Sequence, residues 1–192
     1  MSRAPDFSRR ALLAAIGLPL LAPRARADDV VWSALRAGGL VVLMRHARTT
    51  PGVGDPPGFR ADNCATQRNL TDEGRAQASR VGAAFRSRGI TVEQVGSSPW
   101  CRCVDTARLA FGRAEVADEF GNLFTHPERR GAQLPRMRAR VGGWRGGGNL
   151  ALVSHGTTIQ ALTGVYLDMG ELLVVRPRAP AEWTEIGRLV IA

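Results

Sequence analysis

The sequence predicts an α/β protein, a three-layer sandwich whose mostly parallel central sheet carries helices on both faces. Two apolar runs, Leu40 to Met44 and Leu150 to Val153, show no polar alternation, the pattern of strands buried on both faces. Helix-length segments bounded by capping and glycine signals separate the strand-like runs, so the two element types alternate along the chain. Both apolar runs end in a histidine-bearing turn, Arg45-His46 and Ser154-His155. Open α/β sheets bind ligands at the carboxyl ends of their strands, so these turns mark the working edge.

A chain of 192 residues has room for one domain with a full core. Its hydrophobic content of 44% excludes a disordered chain. All 26 basic residues are Arg, which reads as a codon preference, so arginine counts alone say little about function. Residues 1–27 read as a cleavable, Tat-like export signal: Ser8-Arg9-Arg10, an apolar run from Ala11 to Ala22, then Ala25-Arg26-Ala27. Pro19 interrupts that run, and its length falls short of the roughly 20 residues that span a bilayer. The expected product is a periplasmic or secreted domain of residues 28–192. Five Arg and one Asp leave with the signal, lowering the net charge from +9 to +5; a mildly basic surface suits an anionic substrate.

Along that domain, Val30 to Ala37 reads as a short amphipathic helix stopped by Gly38-Gly39. Residues 51–62 hold six Gly and Pro and form a long loop beside the first turn. Leu70-Thr71-Asp72-Glu73-Gly74 opens a helix to about Arg88, with Thr71 as N-cap and two acids at its positive end. Val92 to Val95 is the next strand. Ser98 as N-cap and Pro99 at the first helical position then start a helix that reaches about Phe111. Glu115 to Ala117 is a short strand, 118–130 a loop, and Leu134 to Trp144 a short basic helix. After the strand at Leu150 to Val153, an apolar helix extends to about Leu167. Leu172 to Val175 and Ile186 to Ile191 close the chain as two strands at an antiparallel edge.

Strand-to-helix junctions thus carry Arg45-His46, Arg102 and His155. Two imidazoles and two guanidiniums describe an anion pocket with a nucleophile, since Arg forks match phosphate oxygens and a helix start adds backbone N–H donors at Gly156. Cys64, Cys101 and Cys103 allow one disulfide in an oxidising compartment, Cys64 with Cys101 or with Cys103. Zinc is disfavoured, because no second Cys-x-x-Cys or nearby His completes four ligands. His126 reads as a solvated loop residue. The arginines between Arg129 and Arg145 lack the interleaved aromatics of a nucleic-acid surface, and Asn69-Leu70-Thr71 matches a glycosylation pattern by chance.

Four ordered motifs, Arg45-His46-Ala47, Leu70-Thr71 with Gly74 and Gln77-Ala78, Ser97-Ser98-Pro99 with Arg102 and Thr106-Ala107, and Ser154-His155-Gly156, resemble those of the histidine phosphatase superfamily, the phosphoglycerate-mutase-like proteins. The resemblance implies that His46 attacks phosphorus to form a phosphohistidine. Arg45, Arg102 and His155 would hold the phosphoryl oxygens, and water would release phosphate, with no metal or other cofactor. Gly156 and Thr49 are further phosphate-binding candidates. The family's mutase-type members use a downstream Glu as proton donor, for which Glu119 and Asp118 are the candidates here. Ala47, Arg48 and Gly52 depart from the mutase pattern and argue against glycolytic mutase activity.

The function expected is therefore an exported, metal-independent phosphatase of small phosphomonoesters, without a nucleic-acid partner or a membrane anchor once the signal is removed. Alternatives are a non-catalytic phosphate or phospho-sugar binding protein of the envelope, or a specialist on lipopolysaccharide-core phosphates or on protein phosphohistidine.

Overall fold

The computed structural model describes residues 23–191. Residues 1–22 of the expected export signal lie outside the described residues, and residues 23–27 begin the first helix. That helix, α1 (Pro23–Ala37), starts earlier than the capping signals indicate, and it seats Val31, Trp32 and Leu35 in the core. Then follow β1 (Val41–Arg45), α2 (Asp72–Ser87), β2 (Val92–Ser97), α3 (Cys101–Phe111) and β3 (Glu115–Val116). The chain closes with α4 (Arg130–Gly142), β4 (Asn149–Ser154), α5 (Gly156–Thr163), β5 (Leu172–Ala179) and β6 (Glu182–Leu189).

The strand order is β3-β2-β4-β1-β5-β6. The first four of these run parallel, while β5 pairs antiparallel with both β1 and β6. Because successive strand residues face opposite ways, the sheet feeds two cores. Val42, Met44, Ala151 and Val153 pack with α1, α2 and α3 on one face. Val41, Leu43, Leu150 and Leu152 pack with α4 and α5 on the other. This is the three-layer sandwich that the unalternated apolar runs require.

Local departures have local causes. Thr71 caps α2 as expected, accepting from the Gly74 N–H at 3.0 Å. The start of α3 is different: Trp100 is the N-cap position and makes no side-chain cap, and Gln67 Oε1 accepts from the Cys101 N–H at 3.0 Å instead, while the Ser98 hydroxyl bonds His155 Nε2 at 2.8 Å and accepts from the Trp100 N–H at 3.4 Å. Residues 118–129 contain two short 3-10 turns, and α4 begins at Arg130 rather than near Leu134. Helix α5 ends at Thr163, short of Leu167, where Gly164 takes a left-handed conformation that glycine adopts at little cost. The last hairpin is longer than expected, with Pro177 admitted to β5 where it pairs with the edge strand β6 alone.

Candidate active site

β1 and β4 are parallel neighbours with Arg45 opposite Ser154, so their carboxyl ends deliver His46 and His155 side by side. The ring centroids stand 5.6 Å apart, and both residues are buried. The backbone of His46 is pinned by donation from its N–H to the Ser154 carbonyl at 2.9 Å. Its Nδ1–H donates to the Ala47 carbonyl at 2.8 Å, which fixes the tautomer and leaves the Nε2 lone pair for the pocket. Ala47 is held in turn by its own N–H donating to Thr106 Oγ1 at 3.0 Å, and it is fully buried. Burial pushes the His46 pKa down to about 3, assisted by the positive charges of Arg102, Arg45 and Arg68 against the opposing Ala47 hydrogen bond. His155 is held well below its ordinary value by burial first, then by His46 and the same arginines. Both imidazoles are therefore neutral at ordinary pH, the form in which nitrogen is nucleophilic.

A cavity of about 270 Å³ opens beside the two rings, and three guanidiniums reach it: Arg45, Arg68 and Arg102. Arg45 donates from Nη1 to the Tyr166 hydroxyl and to the Leu167 carbonyl, each at 2.9 Å. Arg102 is 1% exposed and forks onto Asp55, with Nη1 to Oδ1 at 2.6 Å and Nη2 to Oδ2 at 3.2 Å. Arg68 donates to the Gly52 carbonyl. In all three the Nε–H is buried without a protein partner. A buried, unsatisfied donor is costly, and three around one cavity define a place that an oxyanion would complete. Gly156 and Thr157 at the start of α5 also line it, where the first helical N–H groups and the helix dipole favour an anion.

Asp55 comes from the glycine- and proline-rich loop and was not singled out in the sequence. Besides Arg102, it accepts from Trp100 Nε1 at 3.0 Å and from the Arg68 backbone N–H at 3.1 Å. Burial would raise its pKa, but the Arg102 hydrogen bonds and charge, with these two further donors, hold it below the usual carboxylate value. Cys64, in a 3-10 turn just after that loop, is bonded to Cys101, one residue before Arg102, which settles the open pairing. Cys103 is free and buried, with Sγ 3.6 Å from His155 Nε2. Burial pushes its thiol up to about 12, so it is no nucleophile. His155 Nε2 is hydrogen-bonded by the Ser98 hydroxyl at 2.8 Å.

Four of the sequence-chosen residues, Arg45, His46, Arg102 and His155, gather at this cavity together with Gly156. Thr49 does not reach it: its backbone bridges Leu70 and its hydroxyl faces the Met169 sulfur at 3.7 Å. Nor do the acid candidates. Asp118 and Glu119 open onto a separate surface cleft with Arg129 and Arg136, and Glu119 lies 3.4 Å from Arg136. The cause is Phe120, which is anchored in the core against the α4 side of the sheet and turns the two preceding acids outward over α4. His126 pairs with Glu128 at 3.1 Å outside the cavity wall. Arg68, Asp55 and Tyr166 were missed. Only the density of breakers in the loop of residues 51–62 pointed towards Asp55, and nothing in the sequence marked Arg68 or Tyr166. Among the described residues, no group of three or more His, Cys, Asp or Glu is placed to hold a metal ion, and no helix is long and apolar enough to cross a membrane.

Residues 41–120 match the family model of the histidine phosphatase superfamily, branch 1. No curated protein matches the chain. Among solved structures, the protein histidine phosphatase SixA complexed with tungstate superposes with a TM-score of 0.54 at 16% identity, over 78% of this chain and 96% of its own. A mycobacterial glucosyl-3-phosphoglycerate phosphatase gives 0.55 at 16%, over 76% and 96%. A phosphoserine phosphatase mutant from Entamoeba histolytica gives 0.54 at 16%, over 78% and 95%. At these identities the structures share the fold, and the matched segment itself carries Arg45, His46 and Arg102. With the fold bringing His155 from β4 to the same place, the chain resembles the histidine phosphatase superfamily in its matched segment and in its fold.

Proposed function

We propose that this protein is a metal-independent phosphatase that hydrolyses small phosphomonoesters through a phosphohistidine on His46. The observation that carries this reading is the neutral His46, its Nε2 free, facing three guanidiniums whose Nε–H groups have no protein partner. Phosphoryl transfer needs a positioned nucleophile and fixed positive charge on the equatorial oxygens, and here both are supplied by side chains. In the first step Nε2 bonds to phosphorus as the ester P–O bond breaks. In the second, water attacks the phosphohistidine and phosphate leaves.

The proposal extends to location. A twin-arginine leader in the sequence and a Cys64–Cys101 bond both support an oxidising compartment outside the cytoplasm. Fusion of residues 1–27 to a reporter should export it; a reporter retained in the cytoplasm overturns that part.

The purified protein should release phosphate from 4-nitrophenyl phosphate in the presence of EDTA and yield acid-labile phosphate on His46, and the His46→Ala protein should do neither. Activity abolished by the chelator, or retained by His46→Ala, overturns the reading. A pocket that binds phosphate without ever trapping it on His46 would instead make this a binding protein.

A further inference from the structure

Six large hydrophobic side chains are exposed among the described residues, and three of them, Val53, Phe124 and Tyr166, stand around the mouth of the one cationic cavity, exposed by 86%, 54% and 49%. Single exposed apolar residues are ordinary, but a cluster rimming a concave polar site marks a recognition surface. The two rings come from different parts of the chain and each is held in place. Phe124 leans on the loop, so close that a methyl group on Gly54 would lie 3.4 Å from its ring. Its backbone N–H donates to Asn122 Oδ1 at 3.1 Å. Tyr166 is fixed by the Arg45 guanidinium, 5.1 Å from its ring centroid and hydrogen-bonded to its hydroxyl. Met169 adds a polarizable thioether to the wall.

The second observation concerns the proton. Among the described residues the cavity wall holds no carboxylate, and the nearby Asp55 is locked onto Arg102 and held ionised. A phenol has a pKa of about 10, so an aryl oxide departs from phosphorus without a protein acid. An alkoxide resembles hydroxide, whose conjugate acid has a pKa of about 15.7, and needs one.

We propose that the site selects phosphate esters of aromatic hydroxyl groups, with the ring seated among Phe124, Tyr166 and Val53 and the phosphoryl group on the guanidiniums below. This rests on the phosphatase reading above and names its substrate class. The N–P bond forms from the His46 Nε2 lone pair while the P–O bond to the ring carbon's oxygen breaks. That electron pair leaves on the phenolic oxygen, which takes its proton from solvent. Water then attacks phosphorus, the N–P bond breaks, and its electron pair returns to Nε2. The net products are a phenol and inorganic phosphate.

The test compares three substrates on the full protein: phenyl phosphate, glycerol 2-phosphate, and acetyl phosphate, which has an acidic leaving group and no ring. Phenyl phosphate is expected to exceed glycerol 2-phosphate at least tenfold in kcat/KM, and a smaller ratio overturns the proposal. Phe124→Ala should lower the ratio of phenyl phosphate to acetyl phosphate kcat/KM about tenfold, the scale of one lost aromatic contact. Because this is a ratio on one protein, a fraction of misfolded variant cancels. A fall of less than threefold overturns ring recognition while leaving the phosphatase reading intact. If His46-dependent turnover is absent for all three substrates, the phosphatase reading fails and this inference fails with it.

Discussion

Asp55 holds Arg102 in a two-pronged ion pair, with both side chains 1% exposed, so the second arginine of the site is oriented by a carboxylate from a loop 47 residues earlier. The fork occupies Nη1 and Nη2 and leaves Nε for an oxyanion. Removing one partner of a buried pair leaves the other charge uncompensated, a loss of about 3–5 kcal/mol. Asp55→Ala should cost about 3 kcal/mol, at the low end of that range, because Asp55 as a whole residue is only partly buried and sits in a mostly exposed loop. It should also lower kcat by at least tenfold, as misplaced transition-state donors do. Asp55→Asn should fall between the two proteins. Denaturant melts and initial rates measure both effects, and an Asp55→Ala protein with native kcat would remove the orienting role.

The two neutral imidazoles give the protein a pH dependence of a particular sign. The unfolded chain takes up protons on both histidines below about pH 6.5, while His46 stays neutral to about pH 3 and His155 well below its ordinary value. The unfolded state then binds more protons, so stability falls as pH falls, by about 3 kcal/mol at pH 5.5 for the pair. Below about pH 4 the Asp55 contribution is lost as well, since its folded pKa is depressed and its stabilisation is present only above that range. The nucleophile itself remains unprotonated through this window. Loss of activity on acidification should therefore track unfolding measured by circular dichroism. His46→Gln, which cannot titrate, should show about half the loss of stability between pH 7.5 and 5.5.

What the sequence discloses about this site follows from where each residue lies. Arg45, His46 and His155 sit at the ends of unbroken apolar runs, and Arg102 follows a Pro-marked helix start, so local pattern alone picks them out. Asp55 and Arg68 sit in stretches without periodicity and Tyr166 lies beyond the end of a helix that the sequence extends to Leu167, and they act across separations of 47 residues for Asp55 with Arg102 and 121 for Arg45 with Tyr166. Ser98 shows how a correct local rule is overridden. A hydroxyl before proline is a good helix cap, but α3 starts two residues later, where Gln67 Oε1 accepts from the buried Cys101 N–H, and the Ser98 hydroxyl serves the buried ring of His155 instead. Glu119 shows the converse error, in which the acid nearest along the chain is carried away from the site by the burial of its neighbour Phe120.

The Cys64–Cys101 bond closes a loop with a sequence separation of 37 around the segment that carries Arg68. Cross-linking a loop of that length stabilises by about 3–4 kcal/mol through the entropy of the unfolded chain. Reduction, or Cys64→Ser with Cys101→Ser, should lower stability by about that amount and raise KM, because Asp55 and Arg68 lose their tether to α3. Cys103, buried with its thiol pushed up to about 12, should resist alkylation in the native protein and react only on unfolding. Thermal melts with and without reductant, and mass spectrometry after iodoacetamide, read out the two halves. Unchanged melting on reduction would contradict the first, and native-state labelling of Cys103 the second.

Gly156 allows Arg45 to lie flat against the start of α5. A methyl group there would stand 3.2 Å from Arg45 Cζ and Nε and 3.1 Å from the Tyr166 ring, tighter than side chains normally approach, so the guanidinium would have to shift. Gly156 has no positive φ among the backbone angles of the described residues, so alanine carries no backbone strain at this position, the first residue of α5, and alanine is the better helix former. Gly156→Ala should therefore keep or slightly raise the melting temperature while lowering kcat/KM by about tenfold to a hundredfold through displacement of Arg45. Tyr166→Phe, which removes the hydroxyl that Arg45 Nη1 donates to at 2.9 Å, should reproduce part of that loss without adding bulk. If Gly156→Ala lowers stability and rate together, the glycine serves the packing of the helix instead; an undiminished rate would show that Arg45 tolerates the displacement.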